Sequence, residues 1–283
     1  MDIKLDYAVP CVATVNYVTL FYEFYADTAL FEDVERADHA QLRFRLTPGD
    51  TSYWFPDGST QEAGDVHLIG PTSGAFRVRA GGPVHVVGMG LTPAGWAALV
   101  RSDASAMLNR VVDAQALFGA PARETLVALR QAPSREARLL LCGALVQRLA
   151  KGADRDVARF MRQVDSWLGG SASPDIDDLL AMTGVSRRQV ERRCNRLYGA
   201  PPKLLARKYR ALRAAVALAL EEDDIDEAIA RGFYDQSHLI REIKHFTGFT
   251  PGQMREDPSV LARLTIARRR ALAGSVAPTI SET

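Results

Sequence analysis

Between Ser186 and Arg213 the chain sets ten cations against one acid, Glu191: Arg187, Arg188, Arg192, Arg193, Arg196, Lys203, Arg207, Lys208, Arg210 and Arg213. Guanidinium and ammonium groups at this density are the footprint of a phosphate-bearing partner. The competing reading is a solvated helix face. The residue types between the cations add a second chemistry. Arg, Gln and Asn carry the paired donors and acceptors that meet guanine and adenine edges two bonds at a time. At about 100° per residue, Arg188, Gln189, Arg192, Asn195 and Arg196 share one side of a helix. A similar set, Gln236, Ser237, His238, Arg241 and Lys244, lies in GFYDQSHLIREIKHFTGFTPGQMRED, residues 232–257. No nucleophile elbow, glycine-rich phosphate loop or paired-carboxylate motif accompanies either set.

Two repeated units position these side chains. In SPDIDDLLAMTGVSRRQVERRCNRLYG, Ile176, Leu179 and Leu180 give a short helix an apolar stripe. Gly184 then suits a turn at positive φ, and Ser186 caps the next helix. Val190, Cys194, Leu197 and Tyr198 fall on that helix's inner side. Glu191, near the boundary, can accept from cytosine or pair with a neighbouring Arg, and the pair is favoured. DDIDEAIARGFYDQSHLIREIKHFTG repeats the pattern. Ile225, Ala228 and Ile229 point inward, Gly232 turns the chain and Asp235 caps. Leu239, Ile240, Ile243 and Phe246 form the buried stripe, with Phe233 beneath it. The polar cluster at the helix mouth follows, because the amino end of a recognition helix meets base edges and phosphates. Between the units, PPKLLARKYRALRAAVALAL makes a helix roughly 28 Å long. Such a strut suits successive major grooves, which repeat at about 34 Å.

With these residues in view, the C-terminal block resembles the AraC/XylS family of bacterial transcription regulators, over roughly Asp156 to Asp257. GFYDQSHLIREIKHFTGFTPGQMR is similar to the family signature almost throughout, and SRRQVERRCNRLYGAPPKLL to its first recognition helix and linker start. The resemblance implies base or phosphate contact by Arg188, Glu191 and Arg192, and by Gln236, Ser237, His238 and Arg241. Phe246, Gly248 and Pro251 match structural positions. Cys194-Asn195 departs from the aromatic and basic pair frequent there, which bears on packing under the first recognition helix. Together the two readings give the expected DNA-contacting set: Ser186, Arg187, Arg188, Gln189, Glu191, Arg192, Asn195, Arg196, Gln236, Ser237, His238, Arg241 and Lys244.

Residues 1 to about 100 read as short strands. HAQLRFRL alternates, with Leu42, Phe44 and Leu46 on one face and Arg43 and Arg45 on the other. DVHLIG, AFRVRA and PVHVVGMGL follow between Gly, Pro and Ser clusters, the spacing of a small barrel or jelly-roll sandwich. Family members often carry an N-terminal β-barrel that binds an effector and contributes to dimerisation. The stretch TLFYEFYA through MGLTPAGW is similar to one uncharacterised class of these. Its aromatics, among them Tyr22, Phe24 and Tyr53, belong mostly to the core, with an apolar pocket rimmed by Tyr and Arg43 or Arg45 as the alternative. His39, His67 and His85 stand in no HxH or HxxxH arrangement, so no metal is expected. Cys142, within LLLCGAL, reads as inert core.

The 283 residues, 47% hydrophobic and 24% charged with a net charge of +1, fit a globular chain of two domains. No apolar run approaches the ~20 residues of a membrane span, and three scattered cysteines suit a reducing, cytoplasmic setting. The expected fold is α+β: a small cupin- or jelly-roll-like β-barrel (1–115), a helical connector (116–152), a double helix-turn-helix domain (153–257) and a tail (258–283), a short basic helix and then a frayed end. The expected function is sequence-specific DNA-binding transcription regulation, modulated by a small-molecule effector or a protein at the N-terminal domain, with no enzymatic activity and no cofactor. RNA polymerase is a further partner if the protein activates. Leu126, Leu129, Leu139, Leu140, Leu141, Leu145, Val146 and Leu149 exceed one helical stripe and suggest a homodimer, or a hairpin packed on its own barrel. The rivals are a cupin-like metal enzyme or DNA-repair protein that docks on DNA, and a protein-interaction module without a ligand.

Overall fold

The computed structural model describes residues 2–150, 152 and 154–283. Ten strands form two antiparallel sheets. The larger contains β1 (Ile3–Ala8), β2 (Val18–Ala26), β9 (Val84–Leu91), β4 (Gln41–Arg45), β7 (Val66–Ile69) and β10 (Val111–Asp113), in that order across the sheet. The smaller runs β3 (Leu30–Glu35), β8 (Phe76–Gly81), β5 (Thr51–Trp54) and β6 (Thr60–Ala63). The two sheets are not joined into one ladder, so the small barrel or jelly-roll sandwich expected here takes the form of an open two-sheet arrangement. Leu5, Phe24 and Val84 of one sheet meet Phe31, Tyr53, Phe76 and Val78 of the other, and this apolar layer holds the faces together.

The alternation in β4 has a different meaning from a half-exposed strand. Leu42 and Phe44 are fully buried against the helical side of the large sheet, as their spacing predicts. Arg43 and Arg45, on the opposite face, are also buried, at 7% and 1% exposure. The second sheet covers that face, so the arginines point into the space between sheets rather than to a rim. Arg45 fastens the β4–β5 connection, donating to the carbonyls of Thr47 (3.0 Å) and Asp50 (2.9 Å) and to the Thr51 hydroxyl (2.6 Å).

The helical turn α1 (Pro93–Gly95), opened by the Thr92 hydroxyl cap, leads through a wider turn (Trp96–Val100) and a tighter one (Ala104–Met107) to β10. α2 (Ala114–Phe118), α3 (Ala120–Gln131) and α4 (Arg135–Leu149) then cover the outer face of the large sheet. Leu126, Leu129, Cys142, Leu145 and Val146 are buried there, and burial of each Leu or Val side chain contributes about 1.5–3 kcal/mol. Arg138 anchors α4 to β2 through Glu23 at 2.7 Å. The leucines expected to join two copies are therefore largely consumed within one chain. Val127 (54%) and Leu140 (75%) remain exposed.

The C-terminal half contains α5 (Arg155–Gly170), α6 (Ile176–Thr183), α7 (Arg187–Tyr198), α8 (Pro202–Ala219), α9 (Ile225–Ala230), α10 (Gln236–Thr247) and α11 (Pro251–Glu256). α8 is the central strut, with buried Leu205 and Tyr209 in the core of the first helix pair and Ala215 and Leu218 in that of the second. The segment beyond residue 257 is folded onto the rest of the molecule. α12 (Val260–Arg270) lies across β1 and β3, and α13 (Pro278–Ser281) returns to α5. Ile280, Ser281 and Thr283 are buried, so the expected frayed end is instead docked.

Lys208 of α8 sits between the halves at 6% exposure, its ammonium 5.2 Å from the Tyr209 ring centre. Burial lowers its pKa from 10.5 to about 8, with Asp38 opposing the shift. Between those values the unfolded chain binds more protons than the native state, so the penalty is full below pH 8 and fades as pH rises toward 10.5. Lys208→Met is expected to stabilise the fold by roughly 1–3 kcal/mol at pH 7 and by much less at pH 10. Denaturant unfolding at the two pH values checks this; a destabilised variant at pH 7 would mean that a partner offsets the buried charge.

Candidate nucleic-acid interface

The α6–α7 unit has the local chemistry its sequence predicts. Gly184 ends α6 at φ 66°, in the left-handed region that a Cβ disfavours. Ser186 caps α7 in a reciprocal capping box with Gln189. Val190, Cys194, Leu197 and Tyr198 are buried beneath the helix, and Cys194, a small apolar group, completes that packing where an aromatic is usual in the resembled family. Arg187, Arg188, Gln189, Glu191, Arg192 and Arg196 are exposed, with Asn195 half-buried. Two of these side chains have other work. Gln189 Oε1 accepts from the Ser186 amide and hydroxyl (3.1 and 3.0 Å), and Arg187 pairs with Asp177 at 2.9 Å. Glu191, expected to pair with an arginine, makes no ion pair among the described residues.

The second unit is similar. Gly232 has φ 121°, and a Cβ there would lie 2.7 Å from the Ser173 side chain. Asp235 accepts from the His238 amide at 2.7 Å and caps α10. Phe233 is buried under the helix, in edge contact with His238. His238 Nδ1 in turn accepts from the Tyr234 amide at 3.1 Å, so this histidine holds the turn and is only partly exposed. Gln236, Ser237, Arg241 and Lys244 are exposed. The last turn of α10 is engaged elsewhere: His245 Nε2 lies 2.9 Å from the Ser73 carbonyl, and the Phe246 carbonyl accepts from the Ala37 amide at 2.8 Å. The free part of α10 is its first two turns.

The run of ten cations divides by element. Those of α7, apart from half-buried Arg193, face solvent. Most of those on α8 are structural. Arg207 forms a two-bond pair with buried Glu242 (2.9 and 2.7 Å), tying α8 to α10. Arg210 stacks on Phe233 at 5.0 Å, and Arg213 donates to the carbonyls of Leu168 and Ser171, each at 2.6 Å, at the end of α5. Lys203 stays exposed.

Two residues that sequence reasoning passed over belong to this surface. Tyr234, 90% exposed, projects beside the amino end of α10; an aromatic between a turn glycine and a cap was the available signal. Asp103 stands across a cleft of about 650 Å³ from Arg188, Gln189, Arg192 and Asn195, because the Ala104–Met107 turn packs on α7. Nothing local in SDASAM announces that contact.

A second candidate site lies between the sheets. Arg43 donates to the Tyr22 hydroxyl (2.9 Å), to Glu35 (2.7 and 2.5 Å), to the Tyr53 hydroxyl (3.1 Å) and to Gln41 Oε1 (2.8 Å), which uses all its N–H groups. Tyr53 continues to His67 at 2.9 Å. Burial and the nearby guanidinium push His67 down to about 3, so its imidazole is neutral. This network forms part of the wall of a cavity of about 120 Å³ that is otherwise mostly apolar and is closed by residues of α8, α10, α11 and α12. His85 instead pairs with Glu23 (2.6 Å) and His39 with the Tyr209 hydroxyl (3.0 Å). Burial pushes the Cys142 thiol up to about 12, which suits a packing role.

Residues 179–257 match the family model described as "Helix-turn-helix domain". The F1 operon positive regulatory protein of Yersinia pestis is 39% identical over 85 residues, 30% of this chain and 28% of that protein, so the chain aligns with little more than a quarter of its length. Among solved structures, ToxT from Vibrio cholerae superposes with a TM-score of 0.43 at 11% identity, over 82% of this chain and 100% of that one. The AraC-like transcriptional activator CuxR gives a TM-score of 0.28 at 13% identity, over 74% and 86% of the two chains.

Proposed function

We infer that this chain, whose residues 179–257 form a helix-turn-helix domain of the AraC type, is a sequence-specific DNA-binding regulator of transcription. The observation that carries the reading is the pair of capped helices, α7 and α10, each buried on one side and presenting Arg with Gln or Asn on the other. Arg188, Arg192, Asn195 and Arg241 are the base readers, with Gln236 and Ser237 at the mouth of α10. Arg196, Lys203 and Lys244 serve phosphates, and Gln189 and His238 hold their helices in shape. Asp103 at the edge of the α7 face would repel a phosphate and so bounds where the DNA backbone can lie. The two-sheet half is the effector domain, with its cavity as the ligand site, and RNA polymerase is a partner if the protein activates. The chain works in the cytoplasm, where the DNA is.

Salt tests the reading. The logarithm of duplex affinity should fall against the logarithm of salt with a slope of about −0.9 per neutralised phosphate, or roughly −4 to −7 for the exposed set. Fluorescence anisotropy titrations between 50 and 300 mM salt measure it. A flat line would reduce the cations to a solvated face. Assembly is the finer part of the proposal: a homodimer through α3 and α4 would rest on Val127 and Leu140. That apolar core is small for a standard interface of about 1,600 Å², and a single chain already carries two reading helices.

A further inference from the structure

At one end of the inter-sheet cavity, just after β3, stand Arg36 and Asp38, met from the other side by Arg269 of α12. Arg269 donates to Asp38 Oδ2 at 2.5 Å and stacks on Tyr7 at 5.4 Å. Arg36 reaches the same oxygen only at 3.4 Å. Its Nε and Nη1, together with Nε of Arg269, are shielded from solvent and have no hydrogen-bond partner. Buried donors without acceptors are costly, and a buried charge without a counter-charge more so. The charge balance points the same way. Arg43 is matched by Glu35 and has no donor left, whereas two guanidiniums share the single carboxylate of Asp38. Among the described residues, this end of the cavity is one negative charge short.

The hydrogen-bonded Arg43 network and a few threonines form one part of the wall, and the remainder is apolar: Phe24, Phe31 and Val86 from the sheets, Leu212 and Val216 from α8, and Leu261 and Ile266 from α12. The volume of about 120 Å³ limits the guest. A dry apolar cavity of ~150 Å³ accepts benzene, so the body that fits here has roughly six to eight heavy atoms.

We propose that this cavity binds a small monocarboxylate with an apolar body, of benzoate or hexanoate size, its carboxylate held between Arg36 and Arg269. The proposal builds on the reading of the two-sheet half as an effector domain and names the effector's class. A carboxylate can accept from a vacant N–H of Arg36 and from Nε of Arg269, as charge-assisted bonds that bring a negative charge to both guanidiniums. It also ties α12 to β3. Leu212, Ala215 and Val216 of α8, Thr247 of α10 and Met254 of α11 line the cavity beside α12, so its occupancy bears directly on the placement of the second helix-turn-helix unit.

The test compares acids with their amides. Benzoate, phenylacetate and hexanoate, and benzamide, phenylacetamide and hexanamide as neutral counterparts, are titrated into the full chain by calorimetry and by thermal shift. At least one acid is expected to bind and raise the Tm, with its amide at least tenfold weaker. Arg36→Gln and Arg269→Gln are each expected to weaken that acid at least tenfold. Equal binding of acid and amide, no binding by any acid, or full affinity in both variants that fold would overturn the proposal. The acid-to-amide comparison uses the unmodified chain and stays decisive if either variant fails to fold. DNA titrations on ligand-free protein run beside it, so a failed regulator reading is distinguishable from a wrong ligand class.

Discussion

Phe246→Ala is expected to destabilise the chain by about 3–5 kcal/mol, the usual range for removing a fully buried phenyl ring. Phe246 has 0% exposure and packs on Ala37 of the sheet half and on Ala211 and Leu212 of α8. Two of these neighbours are alanines, with no side-chain length to swing into the gap, so most of the cavity should persist. The loss also reaches beyond α10. Its last turn is one of the places where the C-terminal half meets the N-terminal half, through the Phe246 carbonyl and His245. Denaturant unfolding measures it as a drop in midpoint at constant slope, and Phe246→Leu, which refills part of the space, should recover more than half. A loss under about 1 kcal/mol would show that the junction collapses around the deletion.

That junction marks where the sequence stops being legible. Within the helix-turn-helix units nearly every local statement could be read from spacing: Gly184 and Gly232 at turns, Ser186 and Asp235 as caps, Val190 and Ile243 facing inward. These are short-range requirements, satisfied within a few residues of chain. Burial of β4 on both faces could not be read, because alternation reports only that two faces differ. It does not say that a second sheet will cover the polar one, and so Arg43 looked like a rim residue. The cations of α8 were misleading for a related reason. Arg207, Arg210 and Arg213 have the composition of a phosphate-binding run, yet their partners, Glu242, Phe233 and the carbonyls of Leu168 and Ser171, lie 23 to 45 positions away in sequence. From sequence α12 is only a basic segment, and its function as a wall depends on β1 and β3, at the far end of the chain.

Once the structural cations are set aside, the largest effects on recognition should come from Arg192 on α7 and Arg241 on α10, both exposed. Neither takes part in an ion pair among the described residues, so each guanidinium keeps its full set of donors for a partner. Arg192→Ala and Arg241→Ala are each expected to weaken binding to a selected duplex by about 1–3 kcal/mol, the value of one bidentate base contact. They stand on separate helices joined by α8, so the double variant should lose nearly the sum, roughly 2–6 kcal/mol. Arg213→Ala is the contrast. Its guanidinium holds two carbonyls at the end of α5, so it should lower stability while leaving the salt slope of the folded protein unchanged. Titrations of each variant against matched and mismatched duplexes at fixed salt separate the possibilities. A base contact loses affinity and relaxes preference at one base pair, whereas a phosphate contact loses affinity equally for all sequences and lowers the salt slope by about 1. If the double variant binds both duplexes as tightly as the unmodified chain, these arginines lie outside the interface and the reading face has to be sought elsewhere.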